Sequence, residues 1–314
     1  MGSIGLSVRR ASWVAALAVN LVICPFNLHC ASRAKSHARE SSSMSTATLE
    51  ARLGELISKA GARCGVSVLH IESGKVASIN GGEPLPLYSV FKLPLAVTVL
   101  NRVEAGKLRL DQEVTVERDD VSSGSLDNTS RWRNAPLTMT IRKLLELSIE
   151  ESDNTSSDKL MGLVGGPRAV TGQIREAGIS GIEVQASIKE LHNRPDHPNR
   201  ATCKALVELL AALQREKILK PAEHAVLFEL MANAHTGLHR LRGQLPAGTP
   251  VMDKTGTGPE ASATNDVGII TLPHGRGHIA IAVLISGSKL SADEQERIIA
   301  DIGLAAYQEF AQKR

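Results

Sequence analysis

The chain has 314 residues, 42% hydrophobic and 22% charged, with a formal net charge of +3 at pH 7. That is enough apolar sequence for one large domain or two tightly packed subdomains. Basic and acidic residues are interspersed, which excludes a charge-built nucleic-acid surface; Arg131-Trp132-Arg133, the nearest approach to a basic aromatic cluster, reads as a solvated loop or helix edge.

Arg9 and Arg10 precede an apolar run from Ala11 to Phe26, and small and polar residues follow around Cys30 to Ala34. This predicts a signal peptide over 1–34 and export to the periplasm; the run is too short and interrupted for a stable membrane span. Only Cys64 and Cys203 lie beyond that segment, too few to define a disulfide framework, and two buried free thiols are expected. His235 with His239 and His274 with His278 have helical spacing but stand among glycines without carboxylate or cysteine partners, so no metal site is expected.

Leu49, Leu53, Leu56 and Ile57 fall on one face of a helix predicted over Thr46 to Ala60. Cys64 to Ile71 and Lys75 to Ile79 are rich in β-branched residues and joined by Glu72-Ser73-Gly74, which reads as a hairpin. From Pro84 the pattern turns helical: Tyr88-Ser89-Val90-Phe91-Lys92 opens an apolar run to Val103, and Pro94, lacking an amide hydrogen, predicts a loosened first turn. Arg118 to Asn134 reads as a long polar loop, followed by a helix capped by Thr138 and carrying Ile141, Leu144, Leu145 and Leu147. Further helices are predicted over Thr155 to Val164, Ala169 to Ala177, Thr202 to Leu213 and Pro221 to Ala234. Ile179 to Ala201 has no periodicity, and an ordered loop of that length usually serves function.

Strands return over Val251 to Thr257, Ala263 to Leu272 and His278 to Ser286, and a final helix runs from Ala292 to about Gln312. The order predicts an α/β two-subdomain fold spanning 46–314. An antiparallel sheet from both ends of the chain (46–86 and 250–314) is flanked by N- and C-terminal helices, with an all-α subdomain (87–249) inserted.

The chemistry centres on Ser89 and Lys92, which at this spacing lie on one helical face, a nucleophile with its base. A lysine serves as base near neutral pH only if burial or a neighbouring cation lowers its pKa, and a helix sunk in a core supplies burial. Free amide hydrogens at the helix start also favour an oxyanion on a substrate held by Ser89. Ser32 with Lys35, Ser156 with Lys159 and Ser286 with Lys289 repeat the spacing, but only Ser89 opens a long apolar segment. Ser152-Asp153-Asn154, between two helices, either caps a helix or projects into a cleft, where the serine could relay a proton and the asparagine hold an amide. Lys254-Thr255-Gly256-Thr257-Gly258 ends a strand: its lysine and hydroxyls suit a carboxylate, and its glycines let another backbone approach.

In this order and at these separations the three motifs resemble those of the penicillin-recognising serine acylases, specifically the class A β-lactamases. The likeness covers most of the chain beyond the leader, including Ser152 to Pro167, Thr236 to Arg242 and Thr264-Asn265-Asp266-Val267-Gly268. It implies the β-lactamase/transpeptidase-like fold and a small-molecule β-lactam substrate hydrolysed by a monomer, conferring antibiotic resistance without a cofactor. It also implies roles for individual residues. Ser89 is acylated with the help of Lys92, and Ser152 passes a proton to the ring nitrogen. Asn154 contacts the acylamido group, the amides of Ser89 and Thr257 form the oxyanion hole, and Lys254, Thr255 and Thr257 bind the carboxylate. Arg240 resembles the alternative arginine of some members. The loop departs from the family: where a glutamate is usual, the register places Ile188, and Glu190 two residues on is the available base for deacylation. Two other readings therefore stand beside hydrolysis: a slow-turnover D-alanyl-D-alanine peptidase-like acylase, and a non-catalytic β-lactam or muropeptide sensor.

Overall fold

The computed structural model describes residues 46–122, 131–193 and 197–312; the signal peptide expected over 1–34 lies outside them. A helix over 46–58 (α1) leads into the hairpin strands β1 (Arg63–His70) and β2 (Lys75–Ile79), whose register pairs Val68 with Ala77. Far along the chain, β8 (Val251–Thr257), β9 (Ala263–Thr271) and β10 (His278–Ser286) complete an antiparallel sheet of order β2-β1-β10-β9-β8. The first and last parts of the chain thus share one sheet, because β1 pairs with β10, Val66 opposite Val283. Strand β8 is left at the edge.

Helices cover both faces, which is why the inner strands read as almost continuous apolar runs. One core joins Leu49, Leu53, Leu56 and Ile57 of α1 to Ile298, Ile299, Ile302 and Ala305 of the C-terminal helix α9 (Ala292–Ala311) and to one face of the sheet. The other face packs on the intervening helices through a core that includes Phe91, Leu95, Leu144, Leu206 and Val267. Those helices are α2 (Lys92–Glu104), α3 (Ile141–Ile149), α4 (Asn154–Val164), α5 (Pro167–Glu176), α6 (Ile188–Asn193), α7 (Cys203–Gln214) and α8 (Pro221–Ala232). Cys64 and Cys203 are free and buried, and burial pushes the Cys64 thiol up to about 12.

Several local expectations change. Thr138 lies in a short strand, β5 (Leu137–Thr140), paired with β4 (Glu113–Val116); the cap of α3 is Thr140, whose hydroxyl accepts the Lys143 amide at 3.1 Å. Trp132 is buried rather than solvated, its Nε1 donating to Asp153 Oδ2 at 3.0 Å. The aperiodic stretch 179–201 holds α6 and two short strands, β6 (Ile182–Glu183) and β7 (Arg200–Ala201), with β7 also pairing β3 (Leu85–Pro86). The long loop is therefore tied to the chain just before Ser89.

Candidate active site

Ser89 sits on a 3-10 turn, Tyr88–Phe91, and Lys92 begins α2 behind it. Pro94, third in α2, has no amide hydrogen to offer the preceding turn, which accounts for the tighter winding there. Tyr88 has φ 46, a left-handed conformation costly for a bulky residue, and its surroundings hold it there. Asn265 Nδ2 donates to Pro86 O at 2.9 Å and Leu87 O at 3.2 Å, and the Leu87 amide donates to Asn199 O at 2.8 Å. Gly256 of the edge strand lies against the same turn: a Cβ there would stand 3.2 Å from the Ser89 nitrogen and inside the contact radius of Leu87 O. Glycine thus lets the Gly256-Thr257 backbone press against that of the nucleophile.

Lys92 is fully buried, its Nζ 2.6 Å from Ser152 O, 2.8 Å from Asn154 Oδ1 and 3.3 Å from Ser152 Oγ. Burial holds its pKa well below the ordinary lysine value, and the charge of Lys254 lowers it further against the pull of Asp153 and Asp158. A neutral amine spends its two hydrogens on the two shorter contacts, which leaves its lone pair for a hydroxyl proton.

The triplet 152–154 does both jobs the sequence allowed. Asp153 caps α4, Oδ1 accepting the Ser156 amide at 2.6 Å, while its neighbours face the cleft. Ser152, at φ 58, directs its carbonyl to Lys92 and its hydroxyl between the two lysines, 3.1 Å from Lys254 Nζ. Lys254 is also fully buried, and burial lowers its pKa to about 7 despite Asp253 and Asp266 nearby. Arg240 donates through Nη2 to Thr257 Oγ1 at 2.8 Å and through Nη1 to Asn265 O at 2.9 Å, with Glu296 on its Nε at 3.0 Å.

These groups surround a cleft of about 250 Å³ lined by Ser89, Glu151, Ser152, Asn154, Thr236, Arg240, Thr255, Gly256 and Thr257. Every expected site residue but one lines it or bonds to residues that do. The exception is Glu190. Its carboxylate accepts the Ser187 amide at 2.7 Å and its own amide donates to Ser187 Oγ at 3.3 Å, a capping box that starts α6. It is exposed and lines a different hollow, of about 400 Å³, with Asp120, Lys159 and Lys189. Ile188 is half-buried against the main core, and Asp158 anchors the start of α6 by accepting the amides of Ile188 at 2.7 Å and Lys189 at 3.0 Å.

Sequence reasoning missed three contributors. Asn265 fixes the nucleophile turn, Thr236 shares a 2.7 Å hydrogen bond with Thr255, and Glu151 lines the cleft. Asn265 and Thr236 lay inside stretches noticed for their resemblance; nothing in the chain marked Glu151.

A serine on a strained turn, two buried amines meeting at a second hydroxyl, and a glycine-bearing strand edge define a serine acyl-transfer enzyme. The chain belongs to the β-lactamase enzyme family, whose model matches residues 48–310. The extended-spectrum β-lactamase PER-1 of Pseudomonas aeruginosa is 37% identical over 258 residues, 79% of this chain and 82% of that protein. The β-lactamase VEB-1 of the same species is 30% identical over 280 residues, covering 87% and 93%. Among solved structures, the TLA-3 extended-spectrum β-lactamase superposes with a TM-score of 0.80 at 31% identity, covering 85% of this chain and 100% of that one. A β-lactamase from Chitinophaga pinensis DSM 2588 gives 0.78 at 31%, covering 83% and 98%.

Proposed function

We propose that the protein is a serine β-lactamase that opens its substrate through an ester on Ser89 and in which hydrolysis of that ester is the slow step. The observation that carries this is the Ser152 hydroxyl held between the Lys92 and Lys254 amines at 3.3 and 3.1 Å, in the cleft that Ser89 lines. In acylation the Ser89 proton passes to Lys92 and its oxygen bonds to the lactam carbonyl carbon. The oxyanion is received by the amides of Ser89 and Thr257. The carbon–nitrogen bond then breaks, and the ring nitrogen takes a proton from the Ser152 hydroxyl, which is refilled by Lys92 with the proton taken from Ser89. Lys254, Thr255, Thr257 and Arg240 hold the substrate carboxylate, and Asn154 holds the acylamido group. The relatives' names support β-lactams as the substrate class.

Slow deacylation follows from the position of Glu190, which is outside the cleft and engaged as a helix cap. Without a placed base an acyl ester in a dry pocket persists. The same observation favours a second reading, a slow-turnover acylase acting on D-alanyl-D-alanine peptides. The arginine-led apolar N-terminal segment supports export to the periplasm, and the protein acts as a monomer. Among the described residues no helix is long and apolar enough to cross a membrane.

Intact-mass measurement after mixing with a penicillin, alongside nitrocefin turnover, tests the proposal. The expected result is an adduct on Ser89 that decays with measurable turnover and is absent in Ser89→Ala. Turnover surviving in Ser89→Ala refutes it. A permanent adduct together with cleavage of a D-alanyl-D-alanine peptide moves the assignment to the peptidase.

A further inference from the structure

One residue of the cleft has no part in acylation. Glu151 contributes the sole carboxylate among the described lining residues, alongside the Arg240 guanidinium in the lining and the Lys254 amine behind Ser152. Its side chain is one-third exposed, and Oε2 accepts from Arg131 Nη2 at 2.8 Å. The backbone locates it. The Glu150 carbonyl accepts the His235 amide at 3.0 Å, and the next residue, Thr236, is hydrogen-bonded to Thr255. Glu151 therefore stands on the Thr236 side, beside the hydroxyls and cations that receive the substrate carboxylate.

A bicyclic β-lactam whose carboxylate lies on Thr255, Thr257 and Arg240 extends the neighbouring ring substituent toward that side. A positive charge on this substituent is repelled by Arg240 and by Lys254 in its charged form, and is attracted by Glu151, the one carboxylate among the described lining residues. On the basis of the acylation reading above, we infer that Glu151 is a specificity-determining residue that favours β-lactams carrying a cation on the ring carbon next to the carboxylate-bearing one. Arg131 orients the carboxylate and partly offsets its charge.

Cephaloridine and cephalothin share one acyl side chain and differ in their 3-substituent, a pyridinium in the first and an acetoxy group in the second. The readout is the second-order rate of Ser89 acylation, followed by intact mass, expressed as the cephaloridine-to-cephalothin ratio; intrinsic differences between the compounds cancel between variants. Glu151→Gln is expected to lower the ratio roughly fivefold, the upper range for one partly exposed charge pair. Arg131→Gln, which frees the carboxylate, is expected to raise it, and both changes should shrink in high salt. A ratio unchanged in Glu151→Gln, or lowered equally in both variants as a packing defect would do, overturns the inference. So does an effect that appears instead between ampicillin and benzylpenicillin, whose charge difference lies on the acyl side chain. If cephalothin fails to acylate the unmodified protein at Ser89, the reading beneath the inference has failed.

Discussion

The contact between Gly256 and the nucleophile turn is the most sensitive joint in the site, and Gly256→Ala tests it. The new Cβ would meet the Leu87 carbonyl oxygen inside its contact radius and the Ser89 nitrogen at 3.2 Å. Neither atom can yield easily: Leu87 O is held by Asn265 Nδ2 at 3.2 Å, and the Leu87 amide by Asn199 O at 2.8 Å. The edge strand, with a neighbour on one side only, is what moves, by on the order of 1 Å, a displacement that costs about 10²-fold in a site needing aligned groups. If the shift removes the Thr257 amide from the oxyanion altogether, the loss reaches about 10²–10³-fold, or roughly 2.7–4 kcal/mol of transition-state stabilisation. Acylation by nitrocefin, measured as the rate constant of the pre-steady-state burst, should fall by that amount. Binding of the ring-opened product, which has no tetrahedral oxyanion, should change far less. If Gly256→Ala acylates within threefold of the unmodified protein, the strand edge and the nucleophile do not form the oxyanion site.

The pH dependence of acylation follows from the two lysines. Burial lowers Lys254 to about 7, so its positive charge, which in the proposed reading binds the substrate carboxylate, is full below that pH and lost as pH rises through it; the apparent substrate constant should climb above pH 7. Burial first and the charge of Lys254 second hold the Lys92 pKa well below the ordinary lysine value, so the acylation rate constant in stopped-flow traces should persist at pH values where an ordinary lysine is fully protonated. Glu190→Ala should leave acylation and deacylation within twofold while costing about 1 kcal/mol of local stability through the loss of its cap, read by hydrogen exchange at α6. A tenfold fall in deacylation would reinstate Glu190 as the base. Asp266 is buried beside Asp253, and both burial and that neighbour raise its pKa well above the carboxylate range. Its folded-state pKa exceeds the unfolded one, so the stability it confers is present at low pH and is lost as pH rises above the unfolded value near 3.9. Asp266→Asn should therefore melt progressively higher relative to the unmodified protein between pH 4 and pH 8 in calorimetry.

The fold was legible wherever one physical signal dominated. Leu49, Leu53, Leu56 and Ile57 repeat at helical spacing and are all buried in one core, and β9 and β10, covered on both faces, show as unbroken apolar runs. Short elements were not legible. Strand β5 is four residues long and half-buried, so its Thr138 and Thr140 offered two equal caps to α3, and only the β4 pairing decides between them. Trp132 stood between two arginines and looked solvated; its burial depends on Asp153, 21 residues away, accepting its indole hydrogen. The site was legible as three motifs because each has a local pattern, whereas Asn265 works through contacts some 180 residues distant that no window of sequence contains.

Glu190 shows why a carboxylate near an expected place is weak evidence for catalysis. Ser187-Ile188-Lys189-Glu190 is also the pattern Ser-x-x-Glu, which satisfies two free backbone groups at a helix start, and this chain uses it again at Ser291 and Glu294, where α9 begins with the same reciprocal bonds. A carboxylate spent on the Ser187 amide is directed along its own helix start, and the 3.6-residue period turns it away from the face that Ile188 presents to the core. For Glu190 to reach the cleft, α6 would have to rotate by about two residues, breaking the cap, releasing the amides that Asp158 holds and exposing Ile188. Three independent local terms oppose that rotation. The register with Ile188 inward is thus the one this loop's own chemistry selects, and the slow deacylation proposed above rests on how α6 starts.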